Sequence, residues 1–167
     1  WHNGRVRPAS EPVYVASDRI ARGDGVFDTM MVVVAPDGTP RPAYADRHMD
    51  RLAAGARLLR IQPIPGGDEI LAAAIRLMEE LKLGPGRYAV NTTITRGPGG
   101  RGIAPPSSAD PQTVIRVASV PETWEPLVAI VSKTVRRNEG SPLSGIKSVD
   151  YGDNILARLE ADAAGAN

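Results

Sequence analysis

The chain has 167 residues, 42% hydrophobic and 23% charged, with 17 glycines and 15 prolines; that balance belongs to one folded domain, or one and part of another, and is too apolar for a disordered chain. Twenty basic against nineteen acidic side chains leave a net charge of +1, which gives no electrostatic footprint for nucleic acid or an anionic membrane. Cysteine is absent, excluding disulfides, thiolate metal sites and a cysteine nucleophile, and no apolar run approaches the roughly 20 residues of a membrane helix.

The longest apolar run, Met30 to Ala35, is strand-sized, and no signal peptide precedes it, so the expected address is the cytoplasm. The chain opens on Trp1 rather than methionine and stops at Asn167 in an alanine-rich helical pattern. A helix with an apolar stripe needs a surface to bury it, so these ends read as those of a piece of a longer polypeptide.

In chain order, Pro12 to Val15 reads as a short strand, and Asp18 as the cap of a brief turn. Val26 to Val34 reads as a strand buried on both faces, closed by the turn Ala35-Pro36-Asp37-Gly38. Asp46 opens a helix in which Met49, Leu52, Ala56 and Leu59 recur at three- and four-residue steps. A second helix begins near Gly67-Asp68, with a stripe of Ile70, Ala74, Leu77, Met78 and Leu81, and Gly84-Pro85 stops it.

Arg87 to Thr95 returns as a strand, and the Gly- and Pro-rich stretch Arg96 to Pro111 must be loop. Thr113 to Val120 and Leu127 to Val135 read as two more strands, with Pro121 to Pro126 breaking the pattern between them. Asp150 to Ala164 is helical, with Ile155, Leu159 and Ala163 on one face. Strands and helices mix without a strict βαβ rhythm, so the expected fold class is α+β, or mixed α/β in two lobes. The boundaries expected are a first lobe over 1–120, a linker over 121–126 and the beginning of a second lobe over 127–167.

Chemistry-bearing residues are few. The two histidines, His2 and His48, have no second ligand at metal spacing, and His48 sits mid-helix between Arg47 and Arg51, where a partly buried helix histidine is the ordinary reading. Gly23-Asp24-Gly25 has neither the leading strand nor the following helix of a nucleotide fingerprint.

Lysine is scarce, three against seventeen arginines, so each can be judged separately. Lys82 closes the second helix, where a cation complements the dipole. Lys133 lies inside an alternating strand and snorkels from an edge. Lys147, in Gly145-Ile146-Lys147-Ser148, sits between a proline-containing loop and a helix start. A lysine held by a short connection beside apolar side chains is where an amine becomes nucleophilic, although a surface-loop lysine is the commoner case.

Arg51 shares a helix face with His48 and Gly55, and a planar fork there suits phosphate or carboxylate; a solvated helix arginine is the plainer alternative. Arg96 and Arg101 bracket Gly97-Pro98-Gly99-Gly100, whose backbone lets a ligand come close, or which is simply an exposed loop.

Four segments carry a family resemblance: Ser17-Asp18-Arg19 with Gly23-Asp24-Gly25-Val26-Phe27-Asp28-Thr29; His48-Met49-Asp50-Arg51-Leu52; Thr95-Arg96-Gly97-Pro98-Gly99-Gly100-Arg101-Gly102; and Ile146-Lys147-Ser148 with Tyr151, Asn154 and Glu160-Ala161. In this order and spacing they resemble the class IV (fold type IV) pyridoxal-phosphate aminotransferases. That family holds branched-chain aminotransferases, D-amino-acid transaminases and aminodeoxychorismate lyases.

The resemblance implies pyridoxal 5′-phosphate as cofactor, small amino acids and 2-oxo acids as substrates, and a homodimer. It implies that Lys147 is the Schiff-base lysine that shuttles the proton between substrate Cα and the cofactor's C4′. It implies that Arg51 grips the cofactor phosphate and Tyr151 bonds its 3-oxygen. Arg101 corresponds to a loop arginine facing the substrate carboxylate, and Phe27 to a wall of the substrate pocket.

The four segments match the family's N-terminal lobe and the start of its C-terminal lobe; the family's glutamate for the pyridine nitrogen falls beyond Asn167. Subgroup marks conflict. The branched-chain arginine two residues after Tyr88 is replaced by Val90, the D-amino-acid group has tyrosine at Phe27 and histidine at Ile103, and the lyases share the glycine-rich loop but not Tyr151. The implied activity is a transaminase, with aminodeoxychorismate lyase, releasing pyruvate and 4-aminobenzoate, as the alternative. A dimerising lobe without cofactor is the reading from another class.

Overall fold

The computed structural model describes residues 1–123 and 125–166; Trp124, within the expected linker, and Asn167, at the end of the expected second lobe, lie outside the described residues. Four antiparallel strands form one sheet in the order β2-β1-β3-β4: β1 Gly25–Val34, β2 Pro40–Pro42, β3 Gly86–Thr95 and β4 Gln112–Ser119. Two helices, α1 Ala45–Leu58 and α2 Gly67–Glu80, are inserted between β2 and β3, and α3 Gly152–Ala163 follows near the end. This mixed α+β arrangement agrees with the expected fold class.

Strand β1 pairs with β3 along its whole length, Gly25 opposite Thr95 through Val34 opposite Gly86. Its alternation sends Val26, Met30, Val32 and Val34 to one face, where α1 and α2 lay Leu52, Ala56, Ile70, Ala74, Leu77 and Met78 against them. Val90 and Ile94 of β3 and Ile115 of β4 complete that core. The periodicity read for the first two helices is therefore the one that is buried, apart from Leu81, which is 49% exposed, whereas Ile155 and Leu159 of α3 are exposed.

The opposite face of β1 carries Phe27, Thr29, Met31 and Val33, and Val33 is 40% exposed. The strand is thus buried on one face, not both as expected, because helices cover only one side of the sheet. The turn after β1 is as expected: the Gly38 N–H donates to the Ala35 carbonyl, and the Asp37 carboxylate accepts the Thr39 N–H.

Two strand expectations fail. Residues 12–15 form no strand; they cross the open sheet face, with Tyr14 lining a cavity there. Residues 127–135 also form no strand, and Leu127 and Val131 are 77% and 84% exposed. The alternation is present, but none of β1–β4 offers it a ladder. Lys133 consequently does not snorkel from a strand edge; its backbone N–H donates to the Glu160 carboxylate.

Lys82 lies past the last α2 residue in the left-handed region (φ 50°), and its backbone N–H closes onto the Glu79 carbonyl. The closing bond is thus made by its backbone. Helix α1 starts one residue earlier than expected, after left-handed Tyr44, with Asp46 in its first turn, where a carboxylate complements the dipole.

Segment 132–134 and α3 are joined through one carboxylate. Glu160 accepts from the Ser132 hydroxyl at 2.7 Å, the Lys133 N–H at 2.9 Å and the Thr134 hydroxyl at 2.7 Å. These donors, the Ser132 hydroxyl foremost, hold the Glu160 carboxyl down to about pKa 2. A depressed folded-state value stabilises above the unfolded value, about 4.3, and is lost as pH falls toward 2. Protection factors at the Lys133 and Thr134 amides, referred to intrinsic exchange, should therefore fall between pH 4.5 and 2 and be low at neutral pH in Glu160→Gln. Unchanged protection in that variant would show the tether is not carried by the carboxylate.

Candidate active site

The start of β1 is framed by buried ion pairs. Asp24 accepts from Arg19 Nε at 2.6 Å and from Arg96 Nε and Nη2 at 2.8 and 3.0 Å. Burial pushes the Asp24 carboxyl up, and the Arg96 and Arg19 bonds outweigh it and hold the group ionised, below the usual range. Arg96 spends its other N–H groups on the Leu59 and Arg60 carbonyls, tying the end of α1 to the end of β3. Arg19 reaches the Gly102 and Ile103 carbonyls and anchors the 96–111 loop.

Asp18 caps the brief helical turn Arg19–Arg22 through Oδ1 and accepts the Thr95 hydroxyl through Oδ2. Gly97 has φ +81°, and a Cβ there would collide with the Asp110 carbonyl oxygen. The first motif and the Arg96 end of the third are therefore a structural frame. Arg96 faces inward, and Arg101 stays exposed on the loop.

Within that frame, consecutive residues Phe27 and Asp28 point to opposite faces. Asp28, 2% exposed, accepts from Arg51 Nε at 2.6 Å and Nη2 at 2.8 Å, a two-pronged pair, and lies 2.8 Å from His48 Nδ1. Burial raises its pKa, but the Arg51 and then the His48 bonds prevail and hold the carboxyl below its usual range. An ionised carboxylate only accepts, so the His48 Nδ1 carries the hydrogen.

The fork turns Nη1 of Arg51 away from Asp28. Arg51, Arg47, His48 and Tyr44 line a cavity of about 230 Å³ with a cationic wall suited to an anion. Gly55, one turn further along α1, serves helix packing: a Cβ there would meet Val26 Cγ1 at 3.1 Å and Ile146 Cβ at 3.7 Å.

Lys147 arrives at the same strand from outside the sheet. The Phe27 N–H donates to the Lys147 carbonyl at 2.9 Å and the Val149 N–H to the Gly25 carbonyl at 3.1 Å, so residues 147–149 pair with the first residues of β1 on the edge away from β3. Lys147 thus stands opposite Phe27, with Nζ 4.8 Å from the ring centroid, a cation–π contact. Tyr151 meets the same ring edge-on, centroids 5.1 Å apart. Phe27 and Tyr151 line a second cavity of about 310 Å³ over the open sheet face, with Ile20, Val114 and Val149 as apolar walls and Tyr14, Asn91, Thr93 and Arg116 as polar ones.

Lys147, Phe27 and Tyr151 are therefore gathered into one place, and Arg51 comes round the same stretch of β1 from the helix side. Arg101 does not line either cavity. Sequence reasoning passed over Asp28, Asn91 and Arg116. Asp28 was within reach: a carboxylate on the helix-facing parity of an apolar strand must find a cation.

A family model for class IV amino-transferases matches residues 25–167. The chain belongs to that family, whose enzymes depend on pyridoxal phosphate. It is similar to the chloroplastic D-amino-acid transaminase of Arabidopsis thaliana, 25% identical over 161 residues, 95% of this chain and 41% of that protein. Among solved structures, 4-amino-4-deoxychorismate lyase from Pseudomonas aeruginosa is 31% identical with a TM-score of 0.60, covering 96% of this chain and 56% of that one. The Escherichia coli branched-chain aminotransferase shares the fold, TM-score 0.85 at 21% identity, over 99% of this chain and 55% of that one. The chain spans about half the length of the solved relatives and less of the plant one.

The Asp28 pair is asymmetric, since Asp28 is enclosed while the Arg51 side chain is 50% exposed. Arg51→Met strands a buried carboxylate and should cost about 2–3 kcal/mol, whereas Asp28→Asn frees an arginine to reach water and should cost about 1 kcal/mol. Urea midpoints of the two variants measure this; equal costs would mean the pair is not enclosed in solution.

Proposed function

We propose that the protein of which this chain forms at least part is a pyridoxal-phosphate transaminase, moving an amino group between an amino acid, branched-chain or D-configured, and a 2-oxo acid. The observation that carries this is the meeting of a primary amine, Lys147, with the Phe27 ring, itself met edge-on by Tyr151, at one strand edge that a fixed arginine fork borders from the other side. The residues fit the cofactor: a phosphate asks for a preset cation, an aldehyde for an amine, and a flat ring for apolar and aromatic walls. When bound, pyridoxal phosphate supplies the electron sink for bond-breaking at the substrate Cα.

The chain's own residues do the rest. Arg51, fixed by Asp28, presents Nη1 to the phosphate, with Arg47 adding positive charge beside it. Lys147 Nζ holds the cofactor and moves the proton at substrate Cα. Tyr151 donates to the cofactor's 3-oxygen, Phe27 walls the substrate side, and Arg101 meets a substrate carboxylate from its loop. In this reading residues 1–120 form one lobe, 121–126 a linker and 127–167 the beginning of a second, and the enzyme works in the cytoplasm as a homodimer.

A second reading, aminodeoxychorismate lyase, is favoured by the loop Arg96-Gly97-Pro98-Gly99-Gly100-Arg101-Gly102 and by the 31% identity to the Pseudomonas enzyme. It uses the same lysine and differs in its product.

Borohydride reduction with pyridoxal phosphate, followed by peptide mapping, should label Lys147 and neither Lys82 nor Lys133. Lys147→Ala should lose the label and turnover together; full activity in that variant would overturn the assignment. Pyruvate and 4-aminobenzoate formed from aminodeoxychorismate, without transamination of amino donors, would select the lyase.

A further inference from the structure

On the open face of the sheet, side chains fall into rows across the strands. One row runs Lys147, Phe27, Thr93, Val114, and the next runs Thr29, Asn91, Arg116. Residues two apart in a strand share a face, so Arg116 projects to the same side as the Lys147 amine. Its Nη2 donates to Asn91 Oδ1 at 3.0 Å.

Asn91 is itself fixed from every side. Its Oδ1 also accepts the Thr93 hydroxyl at 3.2 Å, and its Nδ2 donates to Thr29 Oγ1 at 2.9 Å and the Asp28 carbonyl at 3.3 Å. The amide therefore leans the guanidinium from β4 back over β3, toward Phe27. Arg116 is the one cation lining this cavity among the described residues, and no carboxylate lines it. Burial holds the Tyr14 hydroxyl above its ordinary pKa, and the nearby Arg116 charge opposes that rise, so the guanidinium acts over the same space.

We propose that Arg116, aimed by Asn91, is the residue that binds a carboxylate of the amino- or oxo-acid ligand in this cavity. The proposal rests on the transaminase reading for the identity of that ligand. A carboxylate there meets a guanidinium set above apolar walls, with β1 and β3 lying between the strand that carries Arg116 and the segment that carries the amine. That span accommodates either the carboxylate beside the reacting carbon or one at the far end of a dicarboxylic side chain.

The test uses 4-methylpentanoate and glutarate as probes, titrated calorimetrically into the full-length protein. Arg116→Gln should weaken binding by about ten- to a hundredfold, and Arg116→Lys by less, as expected for one charge-assisted pair. Asn91→Ala should weaken binding several-fold, with Lys147 still labelled by borohydride, showing an intact site. A loss with both probes assigns the carboxylate next to the reacting carbon; a loss with glutarate alone assigns the distal one. Unchanged binding in both Arg116 variants, or a loss in Arg101→Gln instead, overturns the proposal. Arg116-dependent binding in a protein whose Lys147 takes no label would leave the carboxylate site standing and sink the transaminase reading.

Discussion

Strand β1 sends successive side chains to opposite faces of the sheet, and the groups gathered around it are referenced to that alternation. Phe27 goes to the open face and meets the Lys147 amine and Tyr151. Asp28 goes to the helix face and holds the Arg51 fork. A one-residue slip of register would exchange the two, burying the ring under α1 and exposing the carboxylate. Asp24, half-buried and shared by the enclosed Arg19 and Arg96, guards against that slip, because it pins the residues just before the strand to the ends of both α1 and β3.

Charge is used economically. Asp24 accepts from two arginines and Asp28 from one arginine and His48 Nδ1, and in both the donors outweigh burial. Yet their consequences differ. The cations around Asp24 are enclosed, 3% and 7% exposed in their side chains, and so stabilise the fold. The Arg51 side chain is half exposed, so the same kind of bond there leaves part of a guanidinium facing a cavity. Fixing a cation by its inner edge while presenting its outer edge is how a site is preorganised for an anion without burying an unpaired charge.

The resemblance drawn from four short segments is matched by the family model over residues 25–167 and by the shared fold. Within those segments the division of labour is finer than the motifs suggest. Arg96 and Arg101 read alike in the sequence, as brackets of one glycine-rich loop, but Arg96 is a staple on α1 and Arg101 an exposed side chain. Gly55 shares the helix face of Arg51 and His48, and the space its missing side chain leaves is taken by Val26 and Ile146. Residues 127–135 alternate like a strand, but a strand also needs a partner to pair with, and none of β1–β4 pairs with them.

By itself the sequence determined what depends on neighbours a few positions away: the two helices with their buried stripes, the strands β1, β3 and β4, the turn at 35–38, and, through four short motif segments, the family. Periodicity and turn chemistry are local, so they are legible along one dimension. Tertiary structure alone decided which face of β1 is covered, that residues 147–149 return across more than a hundred positions to lie along its edge, and that Asn91 aims Arg116 into the cavity. Those outcomes depend on strand order and register, which set the neighbours of each side chain in space and leave no trace in the spacing of residues.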